Sequence, residues 1–235
     1  MNAEEVVAQI EALGKESYKK VLLNHCVREP VLGVKIESLK KIQKRVKKDH
    51  ALALGLYDTG IYDAQYLAGL IADETKMTRK DLRHWLATAN SATLCGTAVA
   101  WVAAESAHGR ELALEWIESK KETTAATGWT TLTSLVSIKD DADLDLAELK
   151  RLLQRVGRTI HQQPDAVRSA MNGFVIAVGT YVAGLSDVAL QTGEAIGPVS
   201  VDKGDTACKV PYAPAYIQKV RDRGSIGRKR MTARC

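Results

Sequence analysis

Four stretches decide the fold: AQYLAGLI (64–71), ATLCGTAVAWVAA (92–104), TGWTTLTSLVS (127–137) and AMNGFVIAVGTY (170–181). Each is uncharged, rich in small residues and carries at least one aromatic ring. A helix with no polar face must be packed on several sides, whereas a helix with one apolar stripe is wet on the other. Helices of the second kind lie between the four stretches. Ile36, Leu39, Ile42 and Val46 form one stripe among Lys40, Lys41, Lys44, Arg45, Lys47 and Lys48. Leu149, Leu152, Leu153, Val156 and Ile160 form another, with Lys150, Arg151, Gln154, Arg155 and Arg158 turned outward. Such alternation predicts stacked helical pairs. The uncharged helices recur 31 residues apart from Tyr66 to Thr97, 32 from Thr97 to Trp129, and 45 from Trp129 to Phe174. Periods of this length belong to helical repeat arrays.

The composition fits this reading. Apolar residues make up 46% and charged residues 26% of 235, and five prolines leave room for long helices. Residues 1–28 read as two short helices broken at Gly14, and Thr78 with Asp81 reads as a capping box. The weakly polar run 172–185 is shorter than the roughly 20 residues a membrane span requires, so no membrane association is expected. The opening MNAEEVVAQI is acidic and amphipathic rather than basic and then apolar, so a cytoplasmic protein is expected. Cys26, Cys95, Cys208 and Cys235 form no CxxC and no histidine pair has ligand spacing, so no metal or other cofactor is expected. Cys26 and Cys95 read as buried structural thiols and Cys235 as exposed. The four tryptophans read as core.

Net charge is +5, and it is concentrated: residues 200–235 hold nine Lys or Arg against three Asp, leaving the first 199 residues at −1. Gly204, Pro211, Pro214, Gly224 and Gly227 interrupt this basic segment, in which two turns of helix over 215–223 and a mobile GRKRMTARC end are expected. The GDTACK run at 204–209 lacks the spacing of a phosphate-binding loop. Asp205, Thr206 and Lys209 are expected to pin the segment onto the last repeat.

GVKIESLKKIQKRVKK (33–48), YDAQYLAGLIADETKMT (62–78), GWTTLTSLVSIKDD (128–141), RSAMNGFVIAVG (168–179) and VDKGDTACKVPYAPAYI (201–217) together resemble the AlkD-like DNA alkylation repair proteins, from about Gly33 onward. The resemblance implies an all-α right-handed α-α superhelix, a solenoid of HEAT-like repeats over 1–197. Residues 198–235 would form a mostly irregular basic extension, packed on or trailing from the last repeat. It also implies duplex DNA as partner, bound on the concave face by a monomer without metal.

Known members are DNA glycosylases that release cationic N-alkylated purines such as 3-methyladenine and 7-methylguanine. The alkylated base leaves as a neutral group and positive charge develops on the sugar, where a fixed carboxylate stabilises it. The family pattern S-W-x-x-C-D falls here on Ser91-Ala92-Thr93-Leu94-Cys95-Gly96. Ala92 therefore stands in the tryptophan position and Gly96 in the aspartate position. Ala126 stands in the arginine position, and a second tryptophan maps onto Phe174.

Three functions follow as expectations. The first is a DNA-binding protein with weak or no base excision, its phosphate contacts drawn from Lys40, Lys44, Lys47, Lys48, Arg168, Arg228, Lys229 and Arg230, with Asn172 and Phe174 beside the groove. The second is an active glycosylase with a carboxylate borrowed from Glu105, Glu122 or the acids of 140–145. The third is a protein-interaction scaffold whose groove of small residues takes a partner helix.

Overall fold

In the computed structural model residues 1–202 and 210–234 are described. They form helices and turns, with no strand among the described residues. By their contacts they divide into two compact units. One comprises Met1–Gly109 with Arg234, the other Arg110–Ala233.

The first unit begins with α1 (Ala3–Glu11) and α2 (Glu16–Asn24), separated near Gly14 as expected. It continues through α3 (Ile36–Val46), α4 (His50–Asp58), α5 (Tyr62–Ile71) and α6 (Arg79–Thr88). Helix α5, which carries the uncharged 64–71 stretch, is buried along its whole length, between α3, α4 and the helix that follows α6. That following helix is not regular. A first turn, α7 (Ala92–Leu94), passes into a π-helical stretch at Cys95–Val99 and then into α8 (Ala100–Glu105). The predicted capping box forms at Thr78, whose hydroxyl accepts from the Asp81 amide.

Trp85 stacks on Tyr57 at 4.0 Å between ring centroids, and the Tyr57 hydroxyl donates to the Trp85 carbonyl. Burial pushes the Tyr57 phenol far above its ordinary value, so it stays a neutral donor.

A buried polar network closes one end of this unit. Asp63, wholly inaccessible in the first turn of α5, accepts from the Leu32 and Val34 amides at 2.7 Å each. Gln65 donates to the Tyr57 and Thr88 carbonyls and accepts from the Asn90 amide. Asn90 in turn donates to Pro30 and Gly60. Loop carbonyls and amides that would otherwise be orphaned are thus satisfied from within α5.

Close packing in this unit depends on Gly69. A Cβ there would lie 2.5 Å from the Ala98 Cβ and 2.8 Å from its Cα. Gly69→Ala should therefore cost about 1–3 kcal/mol, as overpacking of a filled core does. The compensating Ala98→Gly change should return part of it. Urea unfolding of the two single variants and the double variant measures the coupling, and strict additivity would mean the two sites do not touch in solution.

In the second unit, α9 (Gly109–Trp116) and α11 (Leu146–Thr159) are amphipathic, and α10 (Glu122–Ile138) and α12 (Asp165–Tyr181) carry the uncharged stretches 127–137 and 170–181. α10 and α12 pack against each other, with Trp129 and Phe174 in ring contact at 5.3 Å. α13 (Ser186–Ile196) and α14 (Ala213–Asp222) cover α12.

The segment after 197 differs from the expectation in its helix and its anchoring. α14 runs ten residues rather than two turns, with a proline in its first turn, where a missing N–H costs nothing. Its Ile217 is wholly buried against Gly179, which leaves no room for a Cβ beneath it. GRKRMTARC is not a loose end over its described residues. Lys229 pairs with Asp141 at 2.8 Å, and Arg234 is buried in the first unit.

All four tryptophans are buried, and Trp129 lies in the core rather than beside a groove. Cys95 is buried, but Cys26 is exposed. It follows the end of α2, a helix with no buried residue, and has a φ of +60°. Cys208, Cys235 and the 204–209 run with Asp205, Thr206 and Lys209 lie outside the described residues. Among the described residues no single helix is long and apolar enough to cross a membrane.

Candidate nucleic-acid interface

The stripe of α3 puts Leu39 and Ile42 in the core and its cations outside. Lys44 and Lys47 are exposed and Lys40 half-exposed, and no ion pair engages them among the described residues. Arg45 donates to the Gln9 side chain at 2.7 Å, and Lys48 pairs with Glu74. Burial pushes the Glu74 carboxyl up, but the Lys48 hydrogen bond and the charges of Arg234 and Lys48 outweigh it, so it titrates below its ordinary value of 4.5. Lys40 and Lys44 on α3, with Lys47 at its C-cap, present positive charge suited to phosphate contact. Lys48 is partly committed.

In the second unit the expected contacts separate into two groups. Asn172 is buried and donates to the Pro211 carbonyl, and Phe174 is wholly buried against Trp129. Both are packed inside the unit, Asn172 toward Pro211 and Phe174 toward α10, so neither is presented to a ligand; helical spacing alone leaves that open. Arg168 donates to the Ser200 and Gln163 carbonyls at 2.6 and 2.9 Å and pairs with Asp165, so it braces the chain after α13. Lys229 donates to the Val136 carbonyl as well as pairing with Asp141. Its neighbours Arg228 and Arg230 are exposed and line a pocket with Gly173 of α12.

Tyr216 lines the same pocket and is 47% exposed. The sequence reading missed it. An outward tyrosine on a helix begun by Pro214, shortly before a basic run, was the available signal.

Ala92 and Gly96, one helical turn apart, are the positions onto which the resemblance maps the family's tryptophan and aspartate. Ala92 is exposed, and Gly96 is half-buried inside the π-helical stretch. A Cβ at Gly96 would meet nothing within 4 Å. The position is open, and a carboxylate is missing there for want of an acid, not for want of room. Ala126 is half-buried on α10.

Of the acids that could substitute, Asp140 and Asp143 are exposed, and the other four are committed to structural contacts. Glu105 pairs with Arg234 at 2.9 Å, and Glu122 accepts from the Ala166 amide in the first turn of α12. Asp141 holds Lys229 and the Ala183 amide, and Asp145 caps α11 through the Glu148 amide.

The chain matches the profile of the family described as DNA alkylation repair enzyme over residues 6–217. It is 31% identical over 220 residues to "Uncharacterized protein Lmo0209" of Listeria monocytogenes, covering 92% of this chain and 95% of that protein. "Uncharacterized protein Lin0241" of Listeria innocua matches to the same extent. Among solved structures, one described as "A new family of proteins related to the HEAT-like repeat DNA glycosylases with affinity for branched DNA structures" superposes with a TM-score of 0.92. It shares 34% identity over the whole of both chains. A profile match across most of the chain, on an all-helical fold shared with a relative of the HEAT-like repeat glycosylases, places the chain in one family: it belongs to the DNA alkylation repair family.

Proposed function

We propose that this chain is a DNA-binding protein of its family with weak or no base-excision activity, and that branched DNA is among its ligands. The observation that carries the proposal is the open, acid-free position at Gly96. A developing oxocarbenium there would have no fixed carboxylate beside it, and that electrostatic contribution is usually the largest one available to such a reaction. Glu105, Glu122, Asp141 and Asp145 would each have to give up an ion pair or a bond to a backbone amide before serving in its place. DNA binding is supported by the solvated lysines of α3 and by the described affinity of the structural relative for branched DNA.

The test joins two assays. DNA carrying 3-methyladenine and 7-methylguanine should release base no faster with the protein than without it, and a four-way junction should shift in a gel in a salt-dependent manner. Lys40→Ala, Lys44→Ala and Lys47→Ala combined should reduce the slope of log K against log salt by about 2–3, close to one for each phosphate that a lysine neutralises. Base release above the spontaneous rate, abolished by substituting one nearby acid, would establish the glycosylase reading instead. Salt-independent binding, or none, would remove the DNA reading.

A further inference from the structure

We propose that the pocket between α10, α12, α14 and the 225–230 segment receives one unpaired nucleotide of a bound DNA, with its base inside and its phosphate against Arg228 and Arg230. This rests on the DNA-binding reading and adds the strand feature that is recognised.

The pocket has a volume of about 320 Å³ and lies wholly within the second unit. That is the lower range of small-ligand sites and too small for a duplex. Its walls are chemically divided. The hydroxyls of Thr133, Ser137 and Thr180 donate to the carbonyls of Trp129, Ser134 and Ile176, at 3.0, 2.7 and 2.8 Å. Their protons are therefore spent on the helices, and their lone pairs remain to accept. Exocyclic amino groups on a base edge are donors of the required kind. Tyr216 is exposed on the rim and offers a ring face for stacking. Such stacking tolerates any base, because every base has a π-face.

The phosphate side is preorganised. Lys229 is held inward by the Val136 carbonyl and Asp141. The Gly227 amide donates to the Thr180 carbonyl, and the Arg230 amide donates to that of Ser137, at 2.9 and 2.8 Å. The backbone carrying Arg228 and Arg230 is thus fixed to the ends of α10 and α12, and no carboxylate lines the pocket. Guanidinium groups on a fixed backbone are the usual partners of phosphate. Stacking, base-edge acceptors and paired guanidiniums in a nucleotide-sized space fit a single unpaired residue at a branch or gap.

Gly173 supplies the decisive variant. It lines the pocket, and a Cβ on it would meet nothing within 4 Å, so Gly173→Leu sends a larger side chain into the cavity from an unobstructed Cβ. The full chain would be titrated by fluorescence anisotropy, at one salt concentration, with two four-way junctions. One is fully paired, and the other carries one unpaired thymidine at the branch. Wild type should bind the second on the order of 10-fold more tightly, the contribution of one stacked base.

Gly173→Leu and Tyr216→Ala should abolish that preference and leave affinity for the paired junction unchanged. The melting temperature of Gly173→Leu confirms folding, and Tyr216→Ala, a change at an exposed site, serves if it falls. A wild type without preference, or a plugged variant that retains it, overturns the pocket while the DNA reading stands. Failure to bind either junction overturns both.

Discussion

Arg234→Ala should destabilise the protein by about 3–5 kcal/mol, the cost of removing one partner from a buried ionic cluster. The side chain of Arg234 is 8% exposed and pairs with Glu74 at 2.8 Å and Glu105 at 2.9 Å. It also donates to the Leu70 and Ala72 carbonyls at 3.1 and 2.9 Å. These carbonyls close the C-terminal end of α5, where no intrahelical donor remains and where positive charge is favoured. Alanine would leave two carbonyls without that donor and two largely buried carboxylates without their shared counter-ion.

Lysine should recover only part of the loss, since a point charge cannot span four acceptors. Urea unfolding measures both. The pH dependence gives a second reading. Glu74 has a folded pKa below its ordinary 4.5, so the stability it contributes is fully present above pH 5 and lost as pH falls through the lowered value. Wild type should therefore lose more stability than Arg234→Ala between pH 5 and the lowered pKa. A loss under 1 kcal/mol at neutral pH for Arg234→Ala would mean that the cluster does not form in solution.

The second large effect is expected at Asp63. Its two carboxylate oxygens satisfy the Leu32 and Val34 amides, in a segment where Val31 and Val34 are core and Gly33 needs a positive φ. Asp63→Ala orphans both donors in the interior, at about 1–3 kcal/mol each. Asp63→Asn should cost less. Its carbonyl can keep one amide, while its NH2 faces the other as a second donor. Hydrogen exchange at the Leu32 and Val34 amides checks the cause directly, because both should lose protection in the alanine variant. Unchanged protection, with stability within 0.5 kcal/mol of wild type, would contradict the assignment.

These two sites also mark where the sequence was legible and where it was not. The four uncharged helices, the amphipathic helices beside them and the capping box at Thr78 depend on residues within a few turns of one another. Periodicity carries such information. Within the candidate interface, the same local reasoning located the basic face of α3 and the missing acid at Gly96. It misjudged Asn172 and Phe174, because residues of an uncharged helix give no pattern from which to tell a packed side from an open one. It also treated Arg228, Lys229 and Arg230 as equivalent. Lys229 is separated from the other two by Val136 and Asp141, which are about 90 residues away in sequence.

The sequence by itself determined an all-helical repeat fold, the family to which it belongs, and a run from Asn90 to Ala104 that contains no acid. Those features are written in local spacing and in residue identity. Only the tertiary structure decided which cations are tied to the chain's own carbonyls and carboxylates. An arginine held by an ion pair and an arginine facing solvent have the same local sequence signal, and their difference lies in partners that folding brings from far along the chain. Arg234 is the clearest case: in the sequence it is one more charge in a basic run, and in the fold it closes the end of α5.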